Sequence, residues 1–246
     1  MKKNTILSLC FTFLPAAALC QAEADEILKK VEQNISSDNR IFESTMTIHG
    51  IRASRTITAR TYSVGYMKSF TEYLSPAREQ GTKMLKLGNQ LWIYSPSTDR
   101  TIQIAGHMLR QSMMGSDLSY EDMMEDRKLT DTYTATLAGT ETIDDRNTCI
   151  LLLTARVSDV AYHTRKMWID TERFVPLKEE LFARSGQLLK RTTLTDIRQV
   201  QGRWFPFTFN YKDVLKQGKG TEFKITSIIF NQVIPDHIFT KAALKQ

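Results

Sequence analysis

The first pattern along the chain is a helical one. Apolar side chains occupy positions 24, 27, 28, 31 and 35, and charged or amide side chains fill most of the positions between them. This spacing predicts an amphipathic helix over residues 24–35, with one face suited to packing on a core. The polar run at residues 36–39 ends it.

Beyond residue 40 the pattern changes to a period of two, which is typical of strands. In the first such run Phe42, Ser44, Met46 and Ile48 share one side. Turn signals recur from there on, and those after residue 170 are about 15 residues apart, which leaves strands of roughly ten residues where five or six is usual. Long strands with few helices between them predict a mainly β fold, a wide antiparallel sheet that follows a single meander.

One predicted strand shows which side of this sheet is apolar. Phe205, Phe207, Phe209 and Tyr211 alternate strictly, so four aromatic rings project from one face. Only the N-terminal helix, residues 107–124 and residues 236–244 have the composition of short helices that could cover the sheet. Because this cover is too small for a sheet of such width, we expect a groove or a cavity on the apolar face.

Methionine is concentrated in one stretch. A predicted hairpin over residues 91–104 leads into residues 107–124, which we call the Met-rich segment, and five of the ten methionines of the chain lie there. Methionine is unbranched and polarizable, so a cluster of it suits a surface that repacks around varied apolar partners. A methionine cluster also suits an ordinary closed core. Because the apolar face of the sheet is larger than the helices available to cover it, we favour the first interpretation. The hairpin over residues 91–104 would then form a wall of the cavity, and the Met-rich segment would form its lid.

Residues 1–22 have the pattern of a signal peptide. Lys2 and Lys3 precede an apolar run, and small residues around Cys20 offer a cleavage site. Since Leu19 is larger than the residue that normally precedes a lipidated cysteine, we expect a cleaved, exported protein in the periplasm without a lipid anchor. The mature chain, residues 23–246, is then predicted to be one domain of the carrier type argued below.

Charge and cysteine content narrow the possible partners. The net charge is +6, basic and acidic residues are mixed along the chain, and nucleic acid is therefore an unsuitable partner. Cys149 is the one cysteine beyond residue 22, so the mature chain has no internal disulfide and depends on its core.

Catalytic and metal-binding patterns are missing from the sequence. The four histidines are scattered, and neither a nucleophile elbow nor a phosphate-binding glycine loop occurs. Acidic residues do cluster at positions 117–126, but their spacing fits a short helix capped by Asp117 or Ser119 better than a calcium loop. We therefore expect no enzyme, no catalytic residue, no cofactor and no metal.

Several motifs together resemble a known family. They are residues 25–31 (DEILKKV), 69–83 (SFTEYLSPAREQGTK), 91–96 (LWIYSP), 115–122 (GSDLSYED) and 203–206 (RWFP). The chain is similar to the periplasmic carriers of the lipoprotein-localisation (LolA-like) family, and most to the exported outer membrane lipoprotein-sorting relatives associated with resistance-nodulation-division (RND) exporters.

The resemblance implies a fold and a function. The fold is a strongly curved antiparallel sheet, an incomplete barrel, covered by an N-terminal helix and a short helical, Met-rich plug. The function is to shield acyl chains of lipoproteins or other lipids during transit from an inner-membrane transporter of the ABC or RND type to an outer-membrane acceptor, and we expect a monomer. Carriers of this family use a buried arginine that ties the sheet to the lid; five arginines are candidates here: Arg52, Arg55, Arg60, Arg78 and Arg100.

Eleven residues are predicted to line the acyl cavity. Since Trp92 and Ile93 project from opposite faces, at most one of these two can contribute. The predicted lining residues are Trp92, Tyr94, Ile102, Ile104, Met108, Leu109, Met113, Met114, Phe205, Phe207 and Phe209. The alternative hypothesis is an accessory subunit that docks on an RND-type exporter, carries nothing and has a filled core.

Overall fold

A computed structural model describes residues 16–125 and 127–246, and the side chains from residue 22 onward. Most of the predicted signal peptide and Asp126 of the acidic cluster lie outside these residues. The N-terminal helix, α1, spans Ala16–Ile35 and begins earlier than the pattern predicts. Its buried apolar residues Ala24, Leu28 and Val31 are those of the predicted apolar face. Within the described ranges, no helix is both long enough and apolar enough to cross a membrane.

The rest of the fold is dominated by one sheet of 13 antiparallel strands. Most strands beyond β6 are seven to 13 residues long, as the turn spacing predicts. The strands are β1 (Asn39–His49), β2 (Ser54–Val64), β3 (Lys68–Ser75), β4 (Lys83–Leu87), β5 (Gln90–Ser95), β6 (Arg100–Ile104), β7 (Tyr133–Ile143), β8 (Arg146–Ala155), β9 (Thr164–Asp170), β10 (Pro176–Phe182), β11 (Leu188–Val200), β12 (Arg203–Asp213) and β13 (Gly220–Phe230).

The order of the strands corrects the prediction of a single meander. The sheet runs β6-β5-β4-β3-β2-β1-β13-β12-β11-β10-β9-β8-β7, so it consists of two meanders that meet where β1 pairs with β13. Strands β6 and β7 are consecutive in the chain but form the two opposite edges. The connection between them, residues 105–132, therefore carries the chain from one edge of the sheet to the other. The sheet is open, and the predicted strong curvature stays a prediction.

The connection contains short helical turns rather than one helix. They are 3-10 helices at Gly106–Arg110 and Met113–Gly115 and the α-helices α2 (Tyr120–Met124) and α3 (Leu129–Thr132). The first three fall in the Met-rich segment, as predicted, whereas α3 has no clear signal in the sequence.

Different elements cover the two faces of the sheet. Helix α1 packs on β7–β9, against Tyr133, Leu151 and Leu153. Residues of the Met-rich segment pack on β1–β6. The C-terminal 3-10 helices, Asp236–Phe239 and Ala242–Lys245, also pack on β3–β5. The strand residues that they contact alternate along the chain with those under the Met-rich segment, so they project from the other face. The C-terminal piece therefore covers the face opposite the Met-rich segment, which corrects the expectation that both would cover the same one.

Candidate functional site

The Met-rich segment lies on the sheet with its apolar side inward. Met113 and Leu118 are buried in a cluster with side chains of β1–β6, and six more residues of the segment pack around them. The buried members from the sheet are Met46, Ile57, Ala59, Tyr73, Met84, Leu91 and Ile104. The alternation of β1 predicts this arrangement, because Met46 falls on the predicted apolar side.

A capping box starts helix α2 within this segment. The Ser119 hydroxyl accepts the backbone N–H of Asp122 at 3.2 Å, and the Asp122 carboxylate accepts the N–H of Ser119 at 2.6 Å. Of the two capping residues that the sequence suggests, Ser119 is the one that caps. The reciprocal bonds satisfy donors at the helix start and fix the direction in which the helix leaves the sheet.

Polar contacts attach the segment to the end of the sheet where β1 and β12 finish. The Asp117 carboxylate accepts the backbone N–H of Asp213 and the hydroxyl of Thr221, each at 2.9 Å. Lys216 donates to the carbonyl of Ser116 at 2.7 Å. Arg55, one of the five candidate arginines, donates to the carbonyl of Met114.

The most buried ionic attachment uses a lysine. Lys190 of β11 pairs with Asp122, and these side chains are only 9% and 11% exposed. The hydroxyl of Tyr162 donates to the same carboxylate, and burial together with the nearby Asp122 charge raises the pKa of Tyr162. The sequence analysis missed Lys190, because a lysine in a polar strand gives no sign that it is buried.

Two cavities adjoin the inner face of the sheet. One, of about 210 Å³, lies against α2 and has Asp122 and Met123 in its wall. The other, of about 240 Å³, lies toward α1 and α3, with Ile35 and Leu129 in its wall. Phe209 and Tyr211 contribute to both. A third cavity of about 30 Å³ adjoins the first and shares Phe42, Thr61, Thr71, Met123 and Phe223 with it.

The walls of the first two cavities are not purely apolar. In the cavity beside α2, aromatic residues of β12 and β13 face hydroxyl side chains of β2 and β3, among which Thr61 and Thr71 are hydrogen-bonded at 2.9 Å. In the cavity beside α1, Arg165 donates to the Tyr133 hydroxyl at 3.1 Å and to Glu179 at 3.2 Å. Burial lowers the pKa of this guanidinium, but Glu179 and Tyr133 outweigh it, so the pKa is raised and the group stays charged.

The structure brings only part of the predicted lining together. Ile104, Met108, Leu109, Met113 and Met114 belong to the cluster under the Met-rich segment. Phe209 lines both the cavity beside α2 and the cavity beside α1, and Phe205 lines the one beside α1.

The other predicted residues lie elsewhere. Phe207 packs against Phe205 with ring centres 6.1 Å apart. Ile102 lies on edge strand β6 and is half exposed. Trp92 and Tyr94 lie on the opposite face, in the cluster around the C-terminal helices, where Lys241 sits 4.2 Å over the Trp92 ring.

Several cavity residues are absent from the predicted set. Met123 was recognised as part of the Met-rich segment, and Phe42, Tyr211 and Phe223 follow the predicted alternation, so a pattern signal existed for each of them. Four hydroxyl residues of β2 and β3 lie on the same side of their strands as the buried Ile57, Ala59 and Tyr73, namely Thr61, Ser63, Ser69 and Thr71. Because they are polar, their sequence pattern suggests an outward position.

Comparison with known proteins gives the family. A family model described as "Uncharacterized protein" matches residues 65–246, and no curated protein matches the chain. Among solved structures, a LolA superfamily protein from Nitrosomonas europaea is 26% identical with a TM-score of 0.73, over 89% of this chain and 98% of that one. The chain belongs to the family of the matching family model and has a LolA-like fold.

Two further structures share the fold of this LolA-like protein. A putative outer membrane lipoprotein-sorting protein domain from Vibrio parahaemolyticus is 22% identical with a TM-score of 0.79, over 92% of this chain and 100% of that one. A DUF1329 family protein from Desulfovibrio piger is 21% identical with a TM-score of 0.81, over 92% and 99%. The predicted resemblance is thereby confirmed at the level of the fold.

Proposed function

We propose that this LolA-like protein binds acyl chains of lipoproteins or other lipids on the inner face of its sheet, beneath the Met-rich segment. The observation that carries the proposal is the pair of adjoining cavities that share Phe209 and Tyr211. Together they form a track from the Met-rich segment toward α1, whose wall combines aromatic and aliphatic side chains with hydroxyl and charged ones. Each methylene removed from water contributes about 0.8 kcal/mol, so such a track can hold acyl chains without covalent chemistry.

Strong curvature of the sheet is part of this proposal. In a flat sheet, β2 and β9 would be about 30 Å apart, because six strand spacings separate them. Yet Tyr66, in the turn after β2, and Asp159, in the loop before β9, line the same cavity of about 320 Å³. A sheet that wraps around the Met-rich segment accounts for this proximity.

The size of the cavities supports a movable lid. At about 210 and 240 Å³ each is smaller than the roughly 300–1,000 Å³ of typical small-molecule sites. Cargo with more than one acyl chain therefore needs additional room. Displacement of the Met-rich segment would supply it, since the segment crosses the sheet as short helical turns held by a limited number of polar contacts.

The resemblance to LolA-like carriers supports a proposed transport route. We propose that residues 1–22 are removed on export and that residues 23–246 act as one monomeric carrier domain in the periplasm. It would receive cargo from an ABC- or RND-type transporter of the inner membrane and deliver it to an acceptor at the outer membrane. The lipoprotein-sorting description of the Vibrio parahaemolyticus domain supports this route.

A fluorescent fatty acid tests the binding step. Met123→Asp places a carboxylate in the wall of two cavities and is expected to weaken probe binding at least about tenfold, because a charge in an apolar site is poorly solvated. Val233→Asp is the control, since Val233 is 87% exposed in the loop after β13. A wild-type protein that binds no probe would favour an accessory subunit with a filled core, and equal binding by the two folded variants would place the acyl chain elsewhere.

A further inference from the structure

Two hairpin tips lie side by side at one end of the sheet. The turn between β1 and β2 comprises residues 50–53, and the turn between β12 and β13 comprises residues 214–219. His49 pairs with Gly220, and the His49 carbonyl accepts the backbone N–H of Lys219 at 3.3 Å. Gly220 has a φ of +97°, and a Cβ there would lie 2.5 Å from the Tyr211 carbonyl oxygen, so this position requires glycine. We call these two turns the paired tip.

The paired tip carries two of the most exposed aliphatic side chains among the described residues. Ile51 is 76% exposed and Leu215 is 65% exposed. Each is the large aliphatic side chain at the end of its hairpin, so both project away from the body of the sheet.

Basic side chains surround these two aliphatic residues. Residues 49–55 and 212–219 contain Arg52, Arg55, Lys212, Lys216 and Lys219, with Asp213 as the one acidic residue, for a net charge of +4. The nearby carboxylates lie beneath the surface: Asp213, and also Glu79 and Asp117, which approach Arg55 and Lys212, have side chains no more than 17% exposed. The basic groups are the more exposed members, and Arg52 and Lys219 face solvent.

The charge is concentrated at the paired tip relative to the remainder of the chain. Residues 23–246 also carry a net charge of +4, because the two lysines at positions 2 and 3 account for the rest of the +6. Outside residues 49–55 and 212–219, acidic and basic residues therefore balance. A negatively charged surface would therefore attract this end of the molecule.

We propose that the paired tip docks on the surface of an anionic phospholipid bilayer, with Ile51 and Leu215 inserted at the headgroup level and the surrounding basic side chains on lipid phosphates. Protruding aliphatic side chains within a basic ring fit a bilayer interface, which offers negative charge at its surface and hydrocarbon just below. The alternative occupant is an acidic protein partner, and a tip that binds such a partner but no protein-free vesicle would contradict the proposal.

Docking at the paired tip would present the anchored end of the Met-rich segment to the membrane. Arg55 and Lys216 hold that segment through Met114 and Ser116 and are also members of the basic ring. A bilayer bound here therefore lies next to the polar contacts that keep the segment on the sheet. The inference does not rest on acyl binding, which is measured without vesicles.

Sedimentation with vesicles tests the proposal on the full mature chain. The protein is expected to bind vesicles of equimolar phosphatidylcholine and phosphatidylglycerol, and to bind pure phosphatidylcholine vesicles much more weakly. Ile51→Ser with Leu215→Ser should weaken binding at least about tenfold, because the variant has no aliphatic side chains at these positions to transfer from water into the bilayer. Ile102→Ser with Val233→Ser is the matched control, since these side chains are 51% and 87% exposed elsewhere on the surface.

A second pair of variants separates local charge from total charge. Arg52→Ser with Lys219→Ser should weaken binding about fivefold for each basic residue removed. Arg100→Ser with Arg184→Ser removes the same charge from exposed positions elsewhere and should retain binding. Absence of vesicle binding by the wild-type protein, or equal losses for a tip pair and its control pair, would overturn the proposal.

Discussion

At the scale of single residues, the Met-rich segment depends on a buried cation that the sequence does not reveal. Lys190 and Asp122 are paired, and Tyr162 donates to the same carboxylate. Breaking a buried pair on one side leaves the other charge without compensation, which costs far more than the loss of an exposed pair. The lysine of β11 thus holds α2 more firmly than the half-exposed Arg55 holds Met114.

Replacement of the buried lysine should destabilise the protein. We expect Lys190→Met to lower the free energy of unfolding by about 3 kcal/mol, since Asp122 would be left buried and unpaired. Denaturant unfolding followed by tryptophan fluorescence measures this change. Lys29→Met, which removes an exposed pair with Glu26, should leave the free energy of unfolding almost unchanged. Equal effects of the two substitutions would contradict the role assigned to Lys190.

A second buried carboxylate makes stability depend on pH. Burial of Asp170 would raise its pKa, but hydrogen bonds from Arg146 and from the backbone N–H groups of Glu172 and Arg173 outweigh burial, and the pKa is lowered. A lowered pKa stabilises the folded state above the unfolded-state pKa of about 4, and this contribution is lost as the pH falls through the lower, folded-state value.

The wild-type protein should therefore be more stable than Asp170→Asn at neutral pH, and the difference should shrink as the pH falls below about 4. Urea unfolding at a series of pH values gives the free energies needed. Asp99→Asn, at an exposed carboxylate paired with Lys245, serves as the comparison. A difference for Asp170→Asn that stays constant or grows in acid would be inconsistent with the lowered pKa.

At the scale of elements, two covers occupy opposite faces of the same strands. Met84 of β4 packs under the Met-rich segment, whereas Leu85, the next residue, packs under the C-terminal helices. The period of two along a strand requires this division. The C-terminal helices consequently contribute to stability without lining the proposed acyl site.

Truncation of a C-terminal side chain should separate stability from binding. Leu244 is fully buried against the face that holds Phe70 and Trp92. Leu244→Ala is expected to lower the free energy of unfolding by about 2–4 kcal/mol, by loss of apolar contact and creation of a cavity. Affinity for the fluorescent fatty acid, titrated on the folded variant, should match the wild type. A weakened affinity would mean that the two covers act on one site.

A reversible cross-link tests whether the Met-rich segment has to move. The side chains of Asp117 and Thr221 are hydrogen-bonded, so Asp117→Cys with Thr221→Cys can join the segment to β13. Oxidation should slow uptake of the fluorescent fatty acid, and a reductant should restore it. Cys149 is buried, and burial raises the pKa of its thiol, which keeps it from competing.

Thr47→Cys with Thr56→Cys is the control for this cross-link. It joins two facing residues of β1 and β2, whose hydroxyls are 3.0 Å apart, and leaves the segment free. Uptake that is equally fast in the oxidised and reduced forms of the segment cross-link would show that binding needs no movement there.

At the scale of the whole molecule, sequence patterns predicted the helices and strands more completely than the way in which the strands pair. The period of two along β1 predicted the side that Met46 presents, and the spacing at positions 24–31 predicted the apolar face of α1. The pairing of β1 with β13 could not be predicted this way. Hydrophobic alternation shows which face of a strand is buried, but it does not show which distant strand lies beside it.

The sequence predicted some residues of the candidate site and missed others. The methionines of the segment and Phe209 follow from composition and alternation. Trp92 was misleading because an aromatic residue in a strand fits either face, and only the position of the C-terminal helices decides between them. The hydroxyl residues of β2 and β3 were missed because burial of a polar side chain depends on partners from another strand, as for Thr61 and Thr71.

The central claim is that this LolA-like protein carries acyl chains beneath the Met-rich segment. The most direct measurement is native mass spectrometry of the mature chain purified from the periplasm, followed by identification of any bound lipid. We predict that wild-type protein carries an acylated molecule, that Val233→Asp retains it, and that Met123→Asp loses most of it. Wild-type protein that is free of lipid and also fails to bind an added fatty acid would contradict the claim.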